Sequence, residues 1–204
     1  MSDQTPFVTE SWRAELPVLT GRLVTLREPA AQDLGPLLNL ISLDDATRFG
    51  LDEKTDVTDV AVQQFIESAA RERLAGRAFT YVITLTSSRA VVGLLQVRQL
   101  DPAFQAAEWE CTLVPASRGS GVFLDAARLA GSFAFGTIGV HRLEARAPLY
   151  SGRANGALRK LGATQEGILR RSVRRNGEYV DQSLWALLRD DWRDHWVSTA
   201  GRVH

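Results

Sequence analysis

The chain has 204 residues, 45% of them hydrophobic, enough for one sizeable core and too few for two comfortable ones. Its 24 Lys and Arg balance 24 Asp and Glu, so no long-range field favours nucleic acid or an anionic membrane surface. The single cysteine, Cys111, excludes an internal disulfide framework, and His141, His195 and His204 lack ligand spacing, so no metal is expected.

The N-terminal stretch MSDQTPFVTE has neither the basic nor the apolar region of a signal peptide, and no apolar run approaches the roughly 20 residues that span a bilayer. A soluble, cytoplasmic protein is expected. Residues 1–17 are polar with two prolines and read as an arm, with Trp12 as its anchor. A single domain over 18–196 follows, then a short tail, 197–204.

Within the domain, 18-VLTGRLVTLREP-29 alternates apolar and polar residues and stops at proline, which predicts a first strand. Asp33 is placed to cap the next helix, whose apolar face is Leu34, Leu37, Leu38 and Ile41. A polar connection over 50–58 leads to a second amphipathic helix ending at Gly76. Three β-rich runs follow, 79-FTYVITL-85, 90-AVVGLLQV-97 and 106-AAEWECTLV-114. Next come a helix to about Phe135, the strand 141-HRLEARA-147, a helix over 151–161 stopped by Gly162, and a hairpin turning at Asn176-Gly177. Seven strands interleaved with helices predict an α/β (α+β) fold with a mixed sheet and helices on both faces.

The junction 115-PASRGSG-121 joins the fourth expected strand to an apolar helix. At such a point the first helical N–H groups lack partners and the helix dipole is positive, which suits a phosphate. Gly119 and Gly121 keep the approach to the amides of Arg118 to Val122 free of side chains. Arg118 adds a charge and Ser120 a hydroxyl donor. A Gly-x-Gly pair can also do no more than turn the chain. The Gly-x-x-x-x-Gly-Lys-Ser/Thr loop and the third glycine of a dinucleotide fingerprint are both missing.

Taken together, 115-PASRGSG-121, 141-HRLEARA-147, 159-RKLGA-163 and 166-EGILRRSVRRNGEYVDQSLWALLRDDW-192 resemble the GNAT superfamily of acyl-coenzyme A dependent N-acyltransferases, in its RimJ and RimL branch. The resemblance runs over about residues 19–192. It implies a largely antiparallel seven-stranded sheet splayed between its fourth and fifth strands. It also implies acetyl-coenzyme A as donor, with coenzyme A as product. The pyrophosphate would lie on the junction amides and the pantetheine arm beside Leu113 and Val114. Four departures from the family pattern stand out. Ala116 replaces its first polar residue, Phe123 a small one, and Ser151 and Ala154 its Asn and Ser. Asn155, four residues after Ser151 on the same helix face, is the expected compensation.

Acyl transfer to an amine needs a group that removes one proton. Strand alternation puts Glu108, Glu110 and Thr112 on one face and Trp109, Cys111 and Leu113 on the other. Two carboxylates about 7 Å apart on one face would raise each other's pKa. Glu108 is the preferred base and Glu110 the second; a solvated face, or a salt bridge to nearby arginines, is the alternative role. Cys111 reads as a small core residue. Arg170, Arg171, Arg174 and Arg175, without interleaved aromatics, read as a solvated face and not an RNA site. Phe133, Phe135, Trp185, Trp192 and Trp196 read as packing. The expected function is acetyl transfer to a primary amine, on a protein N-terminus or a small molecule. The alternative is a degenerate acyl-coenzyme A sensor or interaction module. A homodimer is compatible with either.

Overall fold

The computed structural model describes residues 11–42, 57–175 and 177–192; most of the polar connection expected over 50–58, Asn176, Trp196 and the C-terminal tail lie outside them. The α-helices bounded within the described residues are α1 (Ser11–Ala14), α2 (Leu34–Ser42), α3 (Asp59–Leu74), α4 (Val122–Phe133) and α5 (Gly152–Lys160). The eight strands are β1 (Leu19–Thr20), β2 (Val24–Arg27), β3 (Ala78–Leu85), β4 (Val91–Gln99), β5 (Ala106–Leu113), β6 (Arg142–Pro148), β7 (Thr164–Arg175) and β8 (Glu178–Leu188). They make one sheet in the order β1-β2-β3-β4-β5-β6-β8-β7. Every neighbouring pair is antiparallel except β5 and β6.

The eighth strand arises because the first expected strand is broken in two. A turn at Gly21 separates β1 from β2, closed by the Gly21 amide donating to the Val24 carbonyl at 2.8 Å. The Asp125 carboxylate of α4 accepts from the Leu23 and Val24 amides at 2.7 and 3.1 Å. No local pattern announces this turn, because the acceptor that fixes it is distant in sequence.

Asp33 departs from its expected role as N-cap. Ala30 occupies the cap, and Asp33, three residues on, reaches back to accept from the Ala30 amide at 2.8 Å. Its two oxygens also take both Nη groups of Arg27 at 2.7 Å each. A bidentate guanidinium outcompetes a simple cap for a carboxylate. Thr58 is a true cap, its hydroxyl accepting from the Ala61 amide at 3.2 Å.

Two hydrophobic clusters cover the two faces of the sheet. On one face α4 and α5 pack over Val97, Trp109, Leu143 and Trp185. On the other, α2 and α3 cover Val82 and Leu94. Trp12 is buried in the first cluster, edge-on to Phe79 and Phe104 with centroids at 6.2 and 5.8 Å, so this residue of the expected arm is a core residue. Phe133, Phe135, Trp185 and Trp192 are core residues too. Among the described residues no helix is long and apolar enough to cross a membrane.

Candidate active site

The parallel pair β5 and β6 is joined only at Ala106↔Arg142, Ala107↔Leu143 and Glu108↔Glu144. Past that point the strands part, leaving a split walled by Trp109 to Leu113 and by Ala145 to Pro148. This is the expected opening between the fourth and fifth strands, renumbered by the division of the first. Val114 donates its amide to Val92 and Ala106 accepts from Leu100, both on the β4 side. By strand alternation Trp109, Cys111 and Leu113 therefore turn their backbone groups toward the split. Val114 does not, which corrects the expectation that it shares in pairing an extended ligand arm.

At the mouth of the split lies the glycine junction. A 3-10 turn over Pro115–Ser117 leads into it. Gly119 and Gly121 take φ of +85° and +91°, the left-handed region where a side chain is strained. The amides of Gly119, Ser120, Gly121 and Val122 meet no acceptor among the described residues; the first junction amide, that of Arg118, donates to Pro115 at 3.2 Å. A Cβ built on Gly119 would meet nothing within 4 Å, so no protein atom crowds that glycine. Phe123 does not seal the amides, because its ring stacks on Trp109 with centroids 5.8 Å apart and planes at 23°. A depression of about 320 Å³ adjoins the junction, lined among others by Arg22, Leu23, Leu85, Ser117, Ser120 and Val122.

Several expected ligand groups are engaged inside the protein. The Ser120 hydroxyl donates to the Ser117 carbonyl at 2.7 Å, which leaves its amide, not its hydroxyl, for an anion. Arg118 donates Nε to the Leu113 carbonyl at 2.9 Å, so its guanidinium lies over the end of β5. Ser151 is the N-cap of α5, its hydroxyl accepting from Ala154 at 3.4 Å. Asn155 is turned inward, correcting its expected place on the ligand: its Nδ2 donates to Pro148 and Ser151 carbonyls at 3.0 and 2.8 Å, and its Oδ1 accepts from Trp185 Nε1 at 2.9 Å. The amide thereby ties α5 to the end of β6 and to β8.

Glu108 and Glu110 share the sheet face opposite α4, as alternation predicts. Glu108 is only 3% exposed and is held by two guanidiniums. Arg98, its partner on β4, donates Nε and Nη2 to Oε2 at 3.1 and 2.5 Å. Arg146 of β6 brings Nε to within 3.2 Å of Oε1, across the seam between β5 and β6. Burial works against the charge of Arg98, but the hydrogen bond and charge of Glu108, together with the charge of Glu110, outweigh it and raise its pKa. Glu108 therefore occupies the salt-bridged role that was the alternative to general base. Glu110, opposite Gln96, stands in the stretch of β5 that has left β6. Arg98 and Arg146 had no signal in the sequence; only the strand register brings them to Glu108. Cys111 is partly buried against the α4-side core.

Four open amides at a helix N-terminus, beside the stretch of β5 that has parted from β6, fit a diphosphate with an extended, amide-bearing arm. Residues 23–164 match the family model described as an acetyltransferase (GNAT) domain, the greater part of the chain. The chain belongs to the GNAT acetyltransferase family. It is 28% identical over 178 residues to the probable N-acetyltransferase YjcK of Bacillus subtilis (strain 168), covering 85% of this chain and 98% of that protein. Among solved structures, Mycobacterium smegmatis RimJ in complex with a coenzyme A disulfide superposes with a TM-score of 0.77 at 21% identity, covering 91% of this chain and 95% of that one. RimL, a ribosomal L7/L12 α-N-protein acetyltransferase in complex with coenzyme A, gives 0.75 at 18% identity, covering 86% and 99%. As a GNAT enzyme the protein is an acyltransferase that takes its acetyl group from acetyl-coenzyme A.

Proposed function

We propose that the protein transfers acetyl from acetyl-coenzyme A directly to a primary amine, with both substrates bound together. The open amides of Gly119 to Val122 are the observation that carries this reading, since a diphosphate needs such a set of aligned donors. Those amides and the outer nitrogens of Arg118 hold the diphosphate, and the backbone of Leu113 borders the arm. The amine nitrogen attacks the electrophilic thioester carbonyl, and a C–N bond replaces the C–S bond. Coenzyme A leaves as its thiol, gaining at sulfur one proton for the one the amine gives up. Glu110 takes the proton released by the amine, directly or through water, and Glu108 fixes the guanidiniums on either side of it. Cytoplasmic location and acceptors such as a protein α-amine or a small amine accord with this reading.

The test is calorimetry with acetyl-coenzyme A followed by thiol release across a panel of amines. Binding with acceptor-dependent release of coenzyme A is expected; absence of binding would remove the reading altogether.

A further inference from the structure

Arg98 of β4 and Arg146 of β6 flank β5 from either side, on the sheet face away from α4, and both are anchored on the same buried carboxylate. Glu108 is 3% exposed, whereas the Arg98 and Arg146 side chains are 51% and 40% exposed. Arg98 uses Nε and Nη2 on Glu108, and Arg146 uses Nε. Each guanidinium thus keeps outward-facing N–H groups while its orientation is set from below. Two fixed cations around one shielded anion make a pre-organised fork for a carboxylate or phosphate. The charge of Glu110 also acts on Arg98.

We infer that Arg98 and Arg146 recognise an anionic group next to the reacting amine, so that the preferred acceptors are amines carrying a carboxylate within a few bonds. This rests on the acetyltransfer reading and deepens it. Strand spacing sets the reach. Arg146 lies two residues, about 7 Å along the strand, past the end of the β5–β6 pairing, in the stretch of β6 that walls the opening. A cation there suits the α-carboxylate of a free amino acid or the acidic second residue of a peptide N-terminus.

The experiment measures coenzyme A release from acetyl-coenzyme A with two matched acceptor pairs. Glycine against glycinamide reports the amino-acid source. A peptide with Asp second against one with Asn reports the peptide source. In at least one pair the anionic member is expected to lead by roughly tenfold or more in kcat/KM, the range of a hydrogen bond to a charged group. Arg146→Gln and Arg98→Gln should each bring that ratio toward one, chiefly through KM, while Arg146→Lys keeps part of it. Variants that bind acetyl-coenzyme A as the parent does count as folded. Equal rates within both pairs, a ratio that survives both Gln variants, or turnover of neither pair by a protein that binds acetyl-coenzyme A would overturn the inference. Failure to bind acetyl-coenzyme A at all would instead defeat the acetyltransfer reading beneath it.

Discussion

Asp125, in the first turn of α4, accepts the backbone amide of Leu23 at 2.7 Å, so the helix that presents the open amides is fastened to the turn between β1 and β2. The same oxygen takes the Val24 amide at 3.1 Å. A Cβ on Gly21 would come within 2.6 Å of it, which shows how closely the turn is drawn in.

Asp125→Ala leaves two backbone donors without their acceptor and should cost about 1–3 kcal/mol in denaturant unfolding. Asp125→Asn, which retains an acceptor oxygen, should cost less. Acetyl-coenzyme A affinity should fall with the Ala variant, because the fastened turn borders the junction; an unchanged midpoint would show the contact to be incidental.

Gly119 and Gly121 should respond differently to substitution. Gly119→Ala meets no neighbour, so its stability loss comes from the left-handed backbone alone, about 1 kcal/mol, while its methyl group stands over the amides and weakens cofactor binding. Gly121→Val adds a branched side chain at φ +91° with its Cβ 3.3 Å from Leu23 Cδ1, and should lose more stability. Melting curves and cofactor titration, run side by side, separate the two effects.

The two carboxylates of β5 should also part company. Glu110→Gln is expected to lower kcat about a hundredfold with little change in acetyl-coenzyme A affinity, the scale of a lost general base. Glu108→Gln should act first on stability, by about 1–3 kcal/mol, because it removes the charge on which Arg98 and Arg146 rest. Steady-state kinetics in which Glu108→Gln carries the larger kcat loss would restore Glu108 as the base.

Arg142 grips Glu166 with both Nη groups, at 2.9 and 2.5 Å. That hydrogen bond, opposed by burial and helped by simple charge attraction, holds the Glu166 carboxyl below its usual value of 4.5. A lowered folded-state pKa contributes stability above the unfolded value and loses it as pH falls through the folded one. Glu166→Gln should therefore melt lower than the parent at neutral pH, with the gap closing below about pH 4. A gap that persists at pH 3 would mean that the carboxylate's charge is not what matters.

What could be read in the chain before folding was what depends on near neighbours. The two glycines of the junction declare themselves because left-handed backbone is a local demand, and β5 alternation sorted Glu108 from Trp109 correctly because a period of two needs only adjacent residues. The roles of Glu108 and Asn155 could not be read this way. Glu108 meets Arg98 through the register of β4 with β5, and Arg146 through the parallel seam with β6. Asn155 meets Trp185, 30 residues on. The break between β1 and β2 was hidden for the same reason, since its acceptor, Asp125, lies 102 residues beyond Leu23.

A crystal structure with bound acetyl-coenzyme A bears most directly on the central claim. The diphosphate should sit within hydrogen-bonding distance of the amides of Gly119, Ser120, Gly121 and Val122, with the pantetheine arm in the split beside Leu113. A diphosphate bound elsewhere, with those amides still facing solvent, would contradict it.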